Sequence, residues 1–149
     1  MIAIVSDHAA YLLKTQIIEF LEKQGLKVKD FGTNGPESVD YPDFGRAVAE
    51  AVSSKECERG IVICGTGIGI SIAANKVPGI RAALCTDSYM AKMSRQHNDA
   101  NILAIGERVV GPGKVIDIVE AWISTEFLGG RHQNRINKIS NIEEKYSKK

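Results

Sequence analysis

The sequence predicts an α/β fold in which a five-stranded parallel sheet lies between two layers of helices, with an extended helix at the C-terminus. Two observations carry this. Short Ile- and Val-rich runs alternate with longer segments of helical period, the pattern of successive βαβ units. The first, third and fifth runs are also apolar enough for burial on both faces of a sheet. The strands are read at Ile2–Val5, Leu26–Val28, Gly60–Cys64, Arg81–Cys85 and Ile102–Ile105. The first helix places Leu13, Ile17, Phe20 and Leu21 at i, i+4, i+7 and i+8; it has Asp7 as its N-cap candidate and ends at Gly25. Further helices are expected over Asp43–Ser53, Ile70–Lys76, Asp87–Gln96 and Lys114–Phe127. Between the second strand and the second helix, Gly32 through Pro42 reads as a long loop punctuated by Gly and Pro. Beyond Gly129-Gly130 comes the last segment, Arg131–Lys149, whose Ile136, Ile139 and Ile142 form a stripe that wants a partner in its own domain or in a second subunit.

Composition narrows the function classes. A chain of 149 residues suits one domain spanning residues 1–149, and at this size roughly 68–70% of the unfolded surface is buried without help from disulfides or metal. Lys+Arg 19 against Asp+Glu 18 gives a net charge of +1, too little for a strong field toward nucleic acid or an anionic membrane. The basic excess after Arg131 has no aromatic stacking platform beside it, so no nucleic-acid partner is expected. The longest uncharged stretch, Ile61–Ala74, is short of the ~20 residues a membrane span needs. No secretion signal is visible at the N-terminus, and Cys57, Cys64 and Cys85 lack CxxC spacing, so reduced thiols in a cytoplasmic protein are the expectation.

Chemistry is sought at the carboxyl ends of the strands, where open parallel sheets bind ligands. Ser6-Asp7-His8 follows the first strand and Cys64-Gly65-Thr66-Gly67-Ile68-Gly69 closes the third. Thr86-Asp87 follows the fourth, and His97-Asn98 stands shortly before the fifth. The glycine run can present backbone N–H groups to an anion or a developing oxyanion, or can be a plain tight turn. It misses the dinucleotide fingerprint by one position, yet Asp87 stands near the end of the next strand, so a nucleotide-binding Rossmann module is an alternative of a different class. Cys64 is either a small buried hydrophobe or, beside a helix N-terminus, a thiol whose anionic form is favoured and which serves as nucleophile or proton-abstracting base. Asp7 and His8 form an anion site or a simple helix start; His97 shuttles protons or ends a helix. Arg131 and Arg135, four apart, clamp a phosphate or make a solvated basic face.

Five motifs stand together in order: Ser6-Asp7-His8-Ala9-Ala10, Asp40-Tyr41-Pro42-Asp43, Cys64–Gly69 followed by Ala73-Ala74-Asn75-Lys76, His97-Asn98-Asp99-Ala100-Asn101, and Gly129-Gly130-Arg131-His132-Gln133-Asn134-Arg135. In this the chain resembles the type B ribose-5-phosphate isomerases, from the first strand to the last helix. The resemblance implies a Rossmann-like three-layer αβα sandwich and aldose–ketose isomerisation of a sugar phosphate through a cis-enediolate, with no metal and no organic cofactor. It makes Cys64 the base that moves a proton between C1 and C2. Relatives without this cysteine carry an acidic residue where Ile70 stands here, and isoleucine carries no proton. The N–H groups of Gly65, Gly67, Ile68 and Gly69, with Thr66, hold the enediolate oxygens. His97 handles furanose opening, Asp7 and Tyr41 surround the ring oxygen and hydroxyls, and Asn98 binds hydroxyls or an enediolate oxygen. The phosphate lies against His8, Arg131 and Arg135.

The same resemblance implies a homodimer or a dimer of dimers whose active sites are shared, His97 and Asn98 coming from the neighbouring subunit. It fixes reaction type more firmly than substrate, since the wider family also contains allose-6-phosphate isomerases and galactose-6-phosphate isomerase subunits. Ribose 5-phosphate and ribulose 5-phosphate are the expected pair, in the pentose phosphate pathway, with an allose-6-phosphate activity as the alternative inside the family.

Overall fold

The computed structural model describes residues 1–32 and 40–147. In chain order these form β1 (Ile2–Ser6), a 3-10 turn (His8–Ala10), α1 (Tyr11–Lys23), β2 (Val28–Asp30), α2 (Tyr41–Ser53), β3 (Arg59–Cys64) and α3 (Ile68–Ala74). There follow β4 (Ala82–Leu84), α4 (Ser88–Gln96), β5 (Ile102–Gly106), α5 (Pro112–Ser124) and α6 (Arg131–Ser147). The five strands make one parallel sheet in the order β2-β1-β3-β5-β4.

Alternate residues of each strand feed two separate cores, as the two-residue period of a strand requires. Ile2, Ile4, Ile61, Ile63, Leu103 and Ile105 face one helix layer, where Leu13, Ile17 and Leu21 of α1 and Val115, Ile118 and Trp122 of α5 pack on them. Ala3, Val5, Val62, Ile102 and Ala104 face the other, formed by Val48 and Val52 of α2 and Ile70 and Ala74 of α3. The sheet is therefore the middle of three layers, with no strand residue of β1 or β5 reaching solvent. Chain direction across the sheet reverses after β2, so the switch point lies between β1 and β3, with Asp7 just past one strand end and Cys64 closing the other.

Several boundaries differ from the sequence reading, each for a local reason. The second strand starts at Val28 rather than Leu26, because Leu26 is still finishing α1: its N–H bonds Leu21 O (3.1 Å) while Gly25 N–H bonds Glu22 O (3.0 Å), a helix-terminating pair. Asp7 caps the 3-10 turn, its Oδ1 accepting the Ala9 N–H at 3.1 Å, and α1 begins afterwards without a side-chain cap. Tyr41 and Pro42, read as the end of the loop, are the first residues of α2, a place where proline's missing N–H costs nothing. Residues 33–39 of that loop lie outside the described residues, as do 148 and 149. α3 opens two residues earlier than expected, at Ile68, which puts Ile68 and Gly69 in its first turn. α5 stops at Ser124, where Thr125 turns to extended backbone.

Along α6 only His132 and Ile136 are buried. Ile139 and Ile142 of the expected stripe are 48% and 61% exposed. A groove of about 680 Å³ runs between this helix and the outer side of β4, with Arg81, Asn98, Ile139 and Ile142 in its walls. Glu143 ties the far end of α6 to the body by accepting the Gly79 N–H at 3.1 Å. Among the described residues, no helix is long and apolar enough to cross a membrane.

Candidate active site

The carboxyl end of β3 runs straight into a tight turn. Cys64 closes the strand as a buried residue, 6% exposed, and the Gly67 N–H donates to Cys64 Sγ at 3.2 Å. Thr66 Oγ1 accepts the Ile68 N–H at 3.2 Å, so the turn is held by a thiol and a hydroxyl that each take a backbone donor at the start of α3. The first N–H groups of a helix have no partner within it, which makes this corner a collection of donors around a sulfur atom. Gly67 has φ +79°, and a Cβ there would come within 2.5 Å of Leu84 Cδ1 and 2.8 Å of the Ile105 carbonyl carbon. Only glycine fits, because both the conformation and the space exclude a side chain.

Neighbouring elements close around this corner. A Cβ on Gly69 would meet Tyr41 ring carbon and hydroxyl at 2.6 Å, so the Tyr41 ring at the start of α2 lies directly over the first turn of α3. Asp7 sits across the switch point, its N–H bonded to Ile63 O at 2.9 Å. Next to it, Ser6 Oγ and His8 Nδ1 are buried and have no hydrogen-bond partner among the described residues, capacity that a bound polar ligand can take up. From the far side comes Arg108, just after β5, whose Cδ, Nε and one terminal nitrogen lie 3.6–3.7 Å from the Cβ position of Gly65. The turn that holds the thiol thus has the Arg108 side chain against Gly65 on one side and backbone donors at the start of α3 on the other.

The other half of the expected residues lies elsewhere in the chain. His97 is the C-cap of α4, and Asn98 follows it, both ahead of the start of β5. Cys64 is level with Gly106 at the opposite end of that strand, four residue steps or about 13 Å along the sheet from Ile102. Around His97 the structure gathers the beginning of α6. The Leu128 N–H bonds Gln96 O (3.2 Å), and the rings of His97 and His132 stack with centroids 4.3 Å apart and planes 13° from parallel. Arg131 and Arg135 belong to this second cluster, and burial first, then His97 and the two arginines, hold the His132 imidazole below its usual basicity. One chain therefore brings together Asp7, His8, Tyr41, Cys64, Thr66 and Gly65–Gly69 at one end, and His97, Asn98, Arg131 and Arg135 at the other.

The remaining thiols are set apart from this chemistry. Burial pushes Cys85 up to about 11 and Cys57 upward too, so both stay protonated near neutrality and fill space. Asp87, the acid that motivated the nucleotide-binding alternative, accepts the Met90 N–H on Oδ1 at 2.8 Å as the N-cap of α4. It also follows β4, which β5 separates from β3 and its glycine turn, so it is not the acid of an adjacent strand that a dinucleotide site needs. Among the described residues, no three His, Cys, Asp or Glu side chains gather as a metal-ligand set.

The Ribose/Galactose Isomerase family matches residues 2–139. The chain belongs to that family. Its three-dimensional likeness extends to ribose-5-phosphate isomerase B of Clostridium thermocellum, 69% identical with a TM-score of 0.95 over 97% of this chain and 98% of the other. The Escherichia coli protein named ribose-5-phosphate isomerase B is 49% identical over 97% of both chains. A Mycoplasma genitalium ribose-5-phosphate isomerase B, solved with bound ribulose-5-phosphate, is 43% identical with a TM-score of 0.93 over 96% of this chain and 95% of the other. Like these relatives, the family member described here is an isomerase, and the nucleotide-binding alternative is not favoured. Sequence reasoning overlooked Arg108. The same rule that singled out Thr86-Asp87 after β4 applies to the residues after β5, where Arg108 stands two positions past the strand end.

Proposed function

We propose that the chain interconverts D-ribose 5-phosphate and D-ribulose 5-phosphate in the cytoplasm, as a step of the pentose phosphate pathway, at sites shared between two copies in a homodimer or a dimer of dimers. The observation that carries the chemistry is the Cys64 thiol at the switch point, held by the Gly67 N–H. Cys64 removes the C2 proton of the open-chain aldose, the electron pair moves toward the C1 carbonyl, and a cis-enediolate forms. Return of the proton at C1, with transfer of a hydroxyl proton from O2 to O1, gives the ketose. The N–H groups of Gly65–Gly69 and the Thr66 hydroxyl stabilise the charge on the enediolate oxygens, those of Gly67 and Ile68 by exchanging their acceptors Cys64 Sγ and Thr66 Oγ1 for substrate oxygen.

Ring-closed substrate must open first. His97 moves the proton at the furanose ring oxygen, with Asp7 and Tyr41 on the surrounding hydroxyls and Asn98 on a hydroxyl or an enediolate oxygen. His8, Arg131 and Arg135 bind the phosphate, joined by Arg108, so that binding energy at the unreactive end orients the reactive one. The separation of the two clusters within one chain supports a neighbour as the source of His97, Asn98, Arg131 and Arg135. The test is turnover of ribose 5-phosphate by the purified chain with chelator present. Retained turnover supports the reading; turnover confined to allose 6-phosphate replaces the substrate, and none with either sinks it.

Two substitutions probe the parts. Arg135→Ala is expected to raise KM at least ~10-fold with a smaller effect on kcat, the mark of a contact to the unreactive phosphate, and an unchanged KM places the phosphate elsewhere. Gly67→Ala is expected to lower kcat by roughly 10²-fold, because the turn must open to admit a Cβ and the oxyanion donors move with it. Steady-state kinetics on a variant shown by circular dichroism to be folded checks this, and near-parental kcat would mean the donors lie outside the turn.

A further inference from the structure

The stack of His132 on His97 is too regular to leave without a role. His132 is 7% exposed, one of two buried residues in a helix otherwise facing outward. Its placement is specified by the chain around it. Gly129 and Gly130 both take positive φ, at +69° and +58°, turning the backbone so that Arg131 and His132 open α6, and the His132 N–H returns to Gly129 O at 3.1 Å. Leu128, just before that turn, is bonded to Gln96, the residue next to His97. The result is a flat imidazole laid nearly parallel to another at 4.3 Å, the second on a residue whose own backbone ends a helix.

We propose that His132 is a positioning residue for furanose opening: its ring is the platform that fixes the His97 imidazole in the plane from which it reaches the substrate's ring oxygen. This rests on the reading of His97 as the ring-opening residue given above. A misplaced proton donor loses much of its effect, because proton transfer to the ring oxygen needs hydrogen-bond geometry. The platform role needs a flat ring rather than a titrating one, so an aromatic replacement should serve and a truncated one should not.

The reaction itself supplies a readout that a merely structural role would leave uniform. Ribulose 5-phosphate carries its phosphate on the hydroxyl that would close a furanose, so it is open-chain, and exchange of its C1 proton with solvent needs the base and the enediolate site but no ring opening. The experiment compares parent, His132→Ala and His132→Phe in two assays: consumption of ribose 5-phosphate, and C1 deuterium incorporation from D2O into ribulose 5-phosphate followed by NMR. The expected result for His132→Ala is at least a ~10-fold loss of ribose 5-phosphate consumption with exchange within about 3-fold of parent, and for His132→Phe recovery of most of the loss. Parallel loss of both activities in His132→Ala, parental consumption in His132→Ala, or no recovery with Phe overturns the proposal. A parent that exchanges the C1 proton but does not consume ribose 5-phosphate, or does neither, instead overturns the functional reading on which it rests.

Discussion

Cys64→Ala is expected to abolish isomerisation, with kcat falling by about 10³–10⁴-fold while KM stays within several-fold of the parent, since a positioned base contributes on that order to proton transfer. The asymmetry follows from what the side chain does. Sγ accepts the Gly67 N–H at the turn, and its loss removes the proposed proton carrier while leaving in place the other groups proposed for substrate binding. Ile70, in the first turns of α3, is an apolar core residue and carries no proton in its place. The substitution is nearly isosteric and the site small, so folding should survive, which a thermal melt verifies. Cys57→Ala and Cys85→Ala are the matched controls. Those thiols are buried and held protonated, and replacing them is expected to lower stability without changing the chemistry. Residual turnover above roughly 1% in the Cys64 variant removes the thiol from the mechanism.

The carboxyl-end half of the site was readable before the fold because its signals are local. A strand that ends in Cys64 and runs directly into glycines states both where the thiol sits and why backbone donors surround it. The Asp7-His8 pair was readable for the same reason. The rest depends on long-range geometry. Tyr41 reaches the site only because the start of α2 packs over Gly69, a contact between residues 28 apart in sequence that no periodicity encodes. Arg108 follows a strand by the same rule as Asp7, yet only the fold places its guanidinium against Gly65. His132 was visible as a letter in a motif and invisible as a platform, because its partner stands on another helix. Asp87 shows the opposite failure: an acid at a plausible spacing is a helix cap once the strand order puts β5 between it and the glycine turn.

Mixing two inactive variants should restore activity, and this is the sharpest consequence of the two-cluster arrangement. Cys64→Ala and His97→Gln are each expected to be inactive toward ribose 5-phosphate as pure assemblies, the first lacking the proposed base and the second the proposed ring-opening group. In a mixed dimer, one site takes Cys64 from the His97→Gln chain and His97 from the Cys64→Ala chain, and is intact. The other site inherits both defects. With random pairing about half of the dimers are mixed and each has one intact site of two, so about a quarter of parental activity per total protein should return. Coexpression with two different affinity tags isolates the mixed assemblies, in which recovery should rise toward one half. The within-chain geometry makes the opposite result equally informative. His97 precedes β5 while Cys64 is level with its last residue, so a site built within one chain would require the substrate to span about 13 Å of sheet. A five-carbon sugar phosphate does not reach that far. Mixed dimers that stay inactive would therefore exclude the shared site and remove His97 from the reaction at Cys64.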